Sequence, residues 1–278
     1  TTQKAFSVKT PPGKVPLIMS LQNQRVEKIL ELAGSAEQAD QIASILANTK
    51  SPSVLYVYDA VDIISIPEAM YINWLNRVVE SIGGKLKVLI DDISSVMEID
   101  ENKCLRLRGK AVSDIMHVLG VESVTSSEYS LNNTELFGHF AQLSTRVTVE
   151  AMFNVLPQYD PNERDSIPST SFVSPVRVIT EILHLGADII FTARNRAGAI
   201  GIINTIDEKP RVVVPVPVDF KFVPATFFEE PDGEISKLLN AAFCTYEPQE
   251  NPVFTIVTEL LIPALGNFAL AKGGPSMN

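Results

Sequence analysis

Val54-Leu55-Tyr56-Val57-Tyr58 is a run of aliphatic, β-branched and aromatic residues closed at once by Asp59. It is long enough for a strand buried on both faces and too short for a buried helix. Working outward, Lys87-Val88-Leu89-Ile90-Asp91 has the same make-up, and Glu122 to Thr125, Ala187 to Phe191 and Arg211 to Val216 read as further strands. Between them lie helical patterns. One opens at Pro67, runs from Glu68 to Ser81 and stops at Gly83-Gly84, because a first-turn proline loses no hydrogen bond and glycine ends a helix. Others span Glu101 to Leu119, weakened at Gly109, then Asn132 or Asn133 through Phe153, and Pro175 to Leu185, with a short one near Ala199. Strands alternating with helices predict an α/β fold, a parallel sheet with helices on both faces.

Two amphipathic helices, Leu21 to Leu32 and Ala36 to Ala47, precede the first strand, and two more, Ile235 to Phe243 and Val253 to Leu265, close the chain. The expected organisation is an N-terminal arm with helices over 1–50, a catalytic-type domain over 51–231 with a helical insertion, and C-terminal helices with a tail over 232–278. The proline-bearing stretch Pro157 to Thr170 reads as an exposed loop.

Composition narrows function mainly by exclusion. No apolar run approaches the ~20 residues that span a bilayer. Cys104 and Cys244 lack a CxxC partner, which favours a reducing, cytoplasmic setting. His117, His139 and His184 show no metal-ligand spacing, so no metal is expected. No phosphate-binding glycine loop and no nucleophile elbow is present, and no cofactor is expected. The formal net charge of −10 argues against a broadly basic nucleic-acid surface. One basic stretch remains, Lys103, Arg106, Arg108 and Lys110, in which Lys103, Arg106 and Lys110 share a helix face. Sites in parallel sheets lie beyond the carboxyl ends of the strands, which gathers Asp59, Asp62, Asp91, Asp92, Ser94, Ser95 and Thr192 near one crevice.

Ile235-Ser-Lys-Leu-Leu-Asn-Ala-Ala-Phe-Cys244 followed by Asn251-Pro-Val-Phe-Thr-Ile-Val-Thr-Glu-Leu-Leu-Ile-Pro263 resembles archaeal and eukaryotic tyrosyl-tRNA synthetases. Other blocks match in order. Asp92-Ile-Ser-Ser95 stands in the place of the family's Asp-Leu-His-Ala. Lys110 to Val121 with Glu128-Tyr-Ser-Leu131 matches a helix, strand and Tyr-Gln-Leu segment. Ser174-Pro175 to Gly186 replaces Tyr-Pro-x-x-Gln-x-x-Asp, and Ala187 to Arg196 replaces a Gly-Gly-x-x-Gln-Arg strand end. The resemblance covers Ser53 to Leu265 and implies a Rossmann-like fold of the class I aminoacyl-tRNA synthetase kind.

The departures from the family bear on chemistry. Its HIGH tetrapeptide aligns with Ile66-Pro67-Glu68-Ala69, where Glu68 repels a triphosphate. Its KMSKS loop falls on Ala225 to Gly233, which holds carboxylates and no lysine. Phosphate charge developing in adenylation needs cations, so ATP chemistry is not expected. The resemblance places Tyr56 and Asp92 in an amino-acid pocket, with Ser174, Val178 and Glu181 standing for the family's Tyr, Gln and Asp. Asp59 and Asp62 enter from the first loop, Arg177, Arg194 and Arg196 add cations, and Ser94 and Asn195 are further substrate-binding candidates.

One class of tyrosyl-tRNA synthetase-like domain lacks HIGH and KMSKS and still acts, the tRNA-dependent cyclodipeptide synthases, which this chain resembles. They join two amino acids carried by aminoacyl-tRNA into a diketopiperazine, a product of secondary metabolism. The acidic pocket suits an arginine side chain, and hence arginyl-tRNA, as one substrate. In this reading Glu181 is the candidate base, and the place of the bacterial enzymes' serine holds Tyr58 and Asp59. Ser65, Ser94 and Ser174 are the substitute nucleophiles. Lys103, Arg106, Arg108 and Lys110 hold the tRNA acceptor end. The alternative is a non-catalytic synthetase paralogue acting as a binding or regulatory subunit.

Overall fold

The computed structural model describes residues 32–60, 64–93, 102–131, 133–148, 150–152 and 170–216, with residue 30. Five strands form one sheet: β1 (Ser53–Asp59), β2 (Lys85–Asp91), β3 (Glu122–Thr125), β4 (Ile189–Thr192) and β5 (Val212–Pro215). Their order is β3-β2-β1-β4-β5 and every pairing is parallel. The chain lays down β1, β2 and β3 in one direction, then returns to place β4 on the other side of β1. The carboxyl ends of β1 and β4 therefore flank the point where strand order reverses, where open α/β sheets hold their sites.

The expected helices form with instructive shifts. Helix α1 (Ala36–Asn48) is capped by Ser35, whose hydroxyl accepts from the Gln38 N–H at 3.2 Å. Helix α2 (Ile66–Ser81) takes Ser65 as its N-cap and Pro67 in its first turn. Helix α3 (Asn102–Val118) keeps Gly109 inside it for a reason given below. A short helix the sequence did not predict, α4 (Ser126–Leu131), follows β3, and the helix expected from Asn132 or Asn133 begins at its Asn133 cap as α5 (Thr134–Ser144) but stops well short of Phe153. Helix α5 ends early because Ser144 and Thr145 turn their hydroxyls onto the Phe140 and Gln142 carbonyls, at 2.7 Å each. Such back-bonding competes with continued helix.

Helix α6 (Thr170–Leu185) begins before Pro175 rather than at it. The hydrogen bond lost at the proline is offset by burial of Val176, Ile179 and Ile182 against the sheet. Helices α7 (Arg194–Gly201) and α8 (Ile203–Ile206) complete the order. The expected helices over 21–32 and 235–265, and the loop over 157–170, lie in or run into residues outside the described set.

Strand alternation divides the core into two. Val54, Tyr56, Tyr58, Val88 and Ile90 face α1, α2 and α3, packing on Tyr71, Ile72, Leu75 and Met116. Leu55, Val57, Leu89 and Ile190 face the other way, against α5, α6, α7 and α8 through Leu143, Ile179, Ile182 and Ile203. Nearly every β1 side chain is buried because both faces are covered, which is why the strand reads as a continuous apolar run.

Candidate functional site

The strand ends carry charge on one face only. Asp59 and Asp91 are register partners that end β1 and β2, and both have the parity of the α6 side. Arg177, on α6, reaches Asp91. Its Nη2 donates to Asp91 Oδ1 at 2.5 Å and its Nη1 to Glu181 Oε1, one helical turn on, at 2.7 Å. Arg196, from α7 beyond β4, donates to Asp91 Oδ2 at 2.8 Å and lies 3.5 Å from Asp59. Asp91 and Glu181 are fully buried, and the Arg177 side chain is 11% exposed. Two guanidinium groups thus serve three carboxylates in a desolvated crevice. Such charges persist only when paired and hydrogen-bonded.

Glu181 is held further by two serines of α4. Ser126 donates to its Oε2 at 2.8 Å and Ser130 to its Oε1 at 2.7 Å. Burial pushes the Glu181 carboxyl above its ordinary value, against the opposing pull of Arg177 and the two hydroxyls. Burial likewise works against the charge on Arg177, but Asp91 and Glu181 more than offset it and hold the guanidinium above its usual value. The half-buried Tyr129 phenol is raised by burial and by Glu181.

Asp92 has a different role. Its Oδ1 accepts from the Ser127 N–H at 2.8 Å and its Oδ2 from the Ser127 hydroxyl at 2.5 Å, so it ties the end of β2 to the first turn of α4. Gly109 of α3 sits against it: a Cβ there would stand 2.9 Å from Asp92 Cβ. The glycine admits the helix to this contact, and that closeness accounts for its place in mid-helix.

Tyr56 lies on the other face. Its hydroxyl donates to Glu68 Oε1 at 2.7 Å, and its ring packs 6.2 Å from that of Tyr71. Burial first, and the Glu68 charge second, push the Tyr56 phenol well above its ordinary value. Tyr58 is buried on this same face. Ser65 is occupied as the α2 cap, 3.3 Å from the Glu68 N–H.

The sequence-derived candidates therefore separate. Glu181, Arg177 and Asp59 come together on the α6 face, while Tyr56, Tyr58 and Ser65 stand on the α2 face. Asp92 is buried in its cap, Ser174 is buried on α6, and Asn195 is exposed on α7. Lys103 and Arg106 belong to α3, with side chains outside the described set; Arg108 on the same helix is half-buried and Lys110 is exposed. Asp62 and Ser94 lie outside the described residues. Asp91 stands in the crevice as the strand-end reading expects, Arg196 pairs with it there, and the structure adds Ser126 and Ser130. The segment Ser126-Ser127-Glu128-Tyr129-Ser130 held the signal, three serines and a tyrosine within five residues directly after a strand. Among the described residues, no group of three His, Cys, Asp or Glu side chains is placed to hold a metal ion, and no helix is long and apolar enough to cross a membrane.

This sheet, with its reversal point between β1 and β4, is the Rossmann-like fold of class I aminoacyl-tRNA synthetases. The tyrosyl-tRNA synthetase of Archaeoglobus fulgidus, solved with L-tyrosine, superposes with a TM-score of 0.70 at 15% identity, over 88% of this chain and 83% of that one. The enzyme of Aeropyrum pernix gives 0.67 at 15% identity, over 86% and 78%. A tryptophanyl-tRNA synthetase from Encephalitozoon cuniculi bound to tryptophan gives 0.57 at 14% identity, over 85% and 79%. Identities this low establish the fold alone. No protein-family model matches the chain, and no curated protein matches it in sequence.

Proposed function

We propose that the chain is a tRNA-dependent cyclodipeptide synthase, joining two amino acids delivered as aminoacyl-tRNA esters without ATP. The supporting observation is the contact of the Ser130 hydroxyl with Glu181 at 2.7 Å. A partly buried serine on a carboxylate of raised pKa is a nucleophile beside a general base. Ser130 Oγ attacks the ester carbonyl while Glu181 takes its proton. The bond from carbonyl carbon to tRNA ribose oxygen breaks, and that oxygen recovers the proton. The amine of a second aminoacyl-tRNA then attacks the acyl carbon and gives up a proton to Glu181; the bond to Ser130 Oγ breaks, Glu181 returns the proton to Oγ, and the first peptide bond is formed. The free amine of the resulting dipeptidyl-tRNA attacks its own ester, closing the ring and releasing the second tRNA.

The α2 face agrees with ester-driven chemistry. Glu68, in the first turn where the resembled family meets ATP phosphates, holds a carboxylate bonded to Tyr56. Like charge repels a triphosphate there. The Lys103 to Lys110 stretch of α3 is the proposed seat of the acceptor end, and the cytoplasm, where aminoacyl-tRNA is made, the proposed site of action. Arginine as a substrate requires its side chain to compete with Arg177 and Arg196 for Asp59, Asp91 and Glu181.

Expression of the full chain in a bacterial host, with mass spectrometry of the culture, tests the proposal. A diketopiperazine that disappears in Glu181→Gln and in Ser130→Ala is the expected result, and its masses identify both amino acids. A culture with no such product sinks the reading. The alternative, a non-catalytic synthetase paralogue, is favoured by one observation: Arg177 and Arg196 fill the carboxylate crevice from within. It predicts a stable protein, no product, and no change on either substitution beyond stability.

A further inference from the structure

A cavity of about 240 Å³ opens between α5 and α6. It has room for roughly eight waters at ~30 Å³ each, which is ample for a phosphate group with part of its hydration. Its polar lining is His139, Gln142 and Arg146 from α5 and the turn after it, with Thr180 and His184 from α6; two leucines complete it. Among the described residues no carboxylate lines it, in a chain whose formal net charge is −10. Glu135, one turn before His139, is exposed and outside the lining.

The lining supplies donors in a compact arrangement. The His139 and His184 rings are 5.6 Å apart. Asn133 Nδ2 lies 3.1 Å from His184 Nε2, and the Tyr129 ring meets the same imidazole edge-on at 5.7 Å, so His184 is fixed in orientation. With the Asn133 amide donating to Nε2, the His184 proton sits on Nδ1. Thr180 spends its hydroxyl hydrogen on the Val176 carbonyl, leaving an oxygen that only accepts. The donors are thus one guanidinium, two imidazoles and an amide. A guanidinium and neutral donors around one oriented imidazole, with no carboxylate in the described lining, match a tetrahedral oxyanion.

We infer that this cavity binds a phosphate group, carried either by RNA or by a small phosphorylated ligand. The inference stands apart from the cyclisation chemistry, because it uses neither Ser130 nor Glu181 and its test reads binding alone. Inorganic phosphate and a 5′-phosphorylated ribo-oligonucleotide ending in CCA are titrated calorimetrically into the full chain. The same titrations use Arg146→Ala and His139→Ala, whose side chains are exposed and whose loss leaves the core intact. The expected result is binding of at least one probe, weakened about tenfold by Arg146→Ala and less by His139→Ala. Tighter binding of the oligonucleotide than of phosphate assigns the site to RNA; equal or weaker binding assigns it to a small ligand. No binding of either probe at millimolar concentration overturns the inference, as do affinities that both variants leave unchanged.

Discussion

The two faces of the sheet end in opposite chemistry although the same strands build both. On the α2 side, Tyr56, Tyr58 and Tyr71 make a buried aromatic layer in which the Tyr56 hydroxyl donates to Glu68. On the α6 side, Asp59, Asp91 and Glu181 share Arg177 and Arg196 in a buried ionic web. Hydrophobic packing tolerates loss of one hydroxyl, whereas an ionic web fails when one member is removed and its partners stay buried. The difference teaches where this molecule concentrates its electrostatic cost: at strand ends on the side of the reversal point, beside the only described serines that touch a raised carboxyl.

The comparison breaks hardest at Arg177. Replacing it with Met leaves Asp91 with one cation and Glu181 with none, and is expected to cost about 3–5 kcal/mol in urea unfolding. A loss under 1 kcal/mol would mean that water already reaches the web. Next comes Gly109→Ala. In an ordinary helix the change gains about 0.5–1 kcal/mol; here the new Cβ meets Asp92, and a loss of about 1–3 kcal/mol is expected from overpacking. Smallest is Tyr56→Phe on the quiet face, about 1 kcal/mol, since half-buried Glu68 recovers a water. If Tyr56→Phe costs as much as Arg177→Met, the contrast between faces is void.

Acidity sharpens the same contrast. Glu181 binds its proton more tightly folded than unfolded, because burial raises its pKa. Its own titration therefore adds stability that is full below the unfolded carboxyl value of about 4.3 and is lost as pH rises through the raised folded value. The stability difference between the parent chain and Glu181→Gln should shift across that window, read by unfolding at a series of pH values. A flat difference would place Glu181 in a wetter setting than its burial indicates.

Much of this was legible in the residues. The run at Val54 to Tyr58 marks a doubly covered strand, and Pro67, Gly83-Gly84 and Asn133 mark helix ends, because these are local signals. The split between Tyr56 and Asp59 was also readable, since residues three apart on a strand face opposite ways; the resemblance grouped them in one pocket instead. Glu181 was visible as a helix residue near the strand ends. Its serine partners were not, because a serine carries no periodic signal and lies 51 or 55 residues away. The Arg196–Asp91 pair spans 105 residues and exists only through the β4 return beside β1.

The most direct test of the account is discharge of aminoacyl-tRNA by the purified chain without ATP. The account predicts that a mixed pool of charged tRNA loses selected amino acids faster with the protein than in buffer, and that Glu181→Gln removes the acceleration while keeping the fold. Discharge at the buffer rate by a well-folded parent protein would contradict it, and would make the arginine-filled crevice a structural element of a non-catalytic relative.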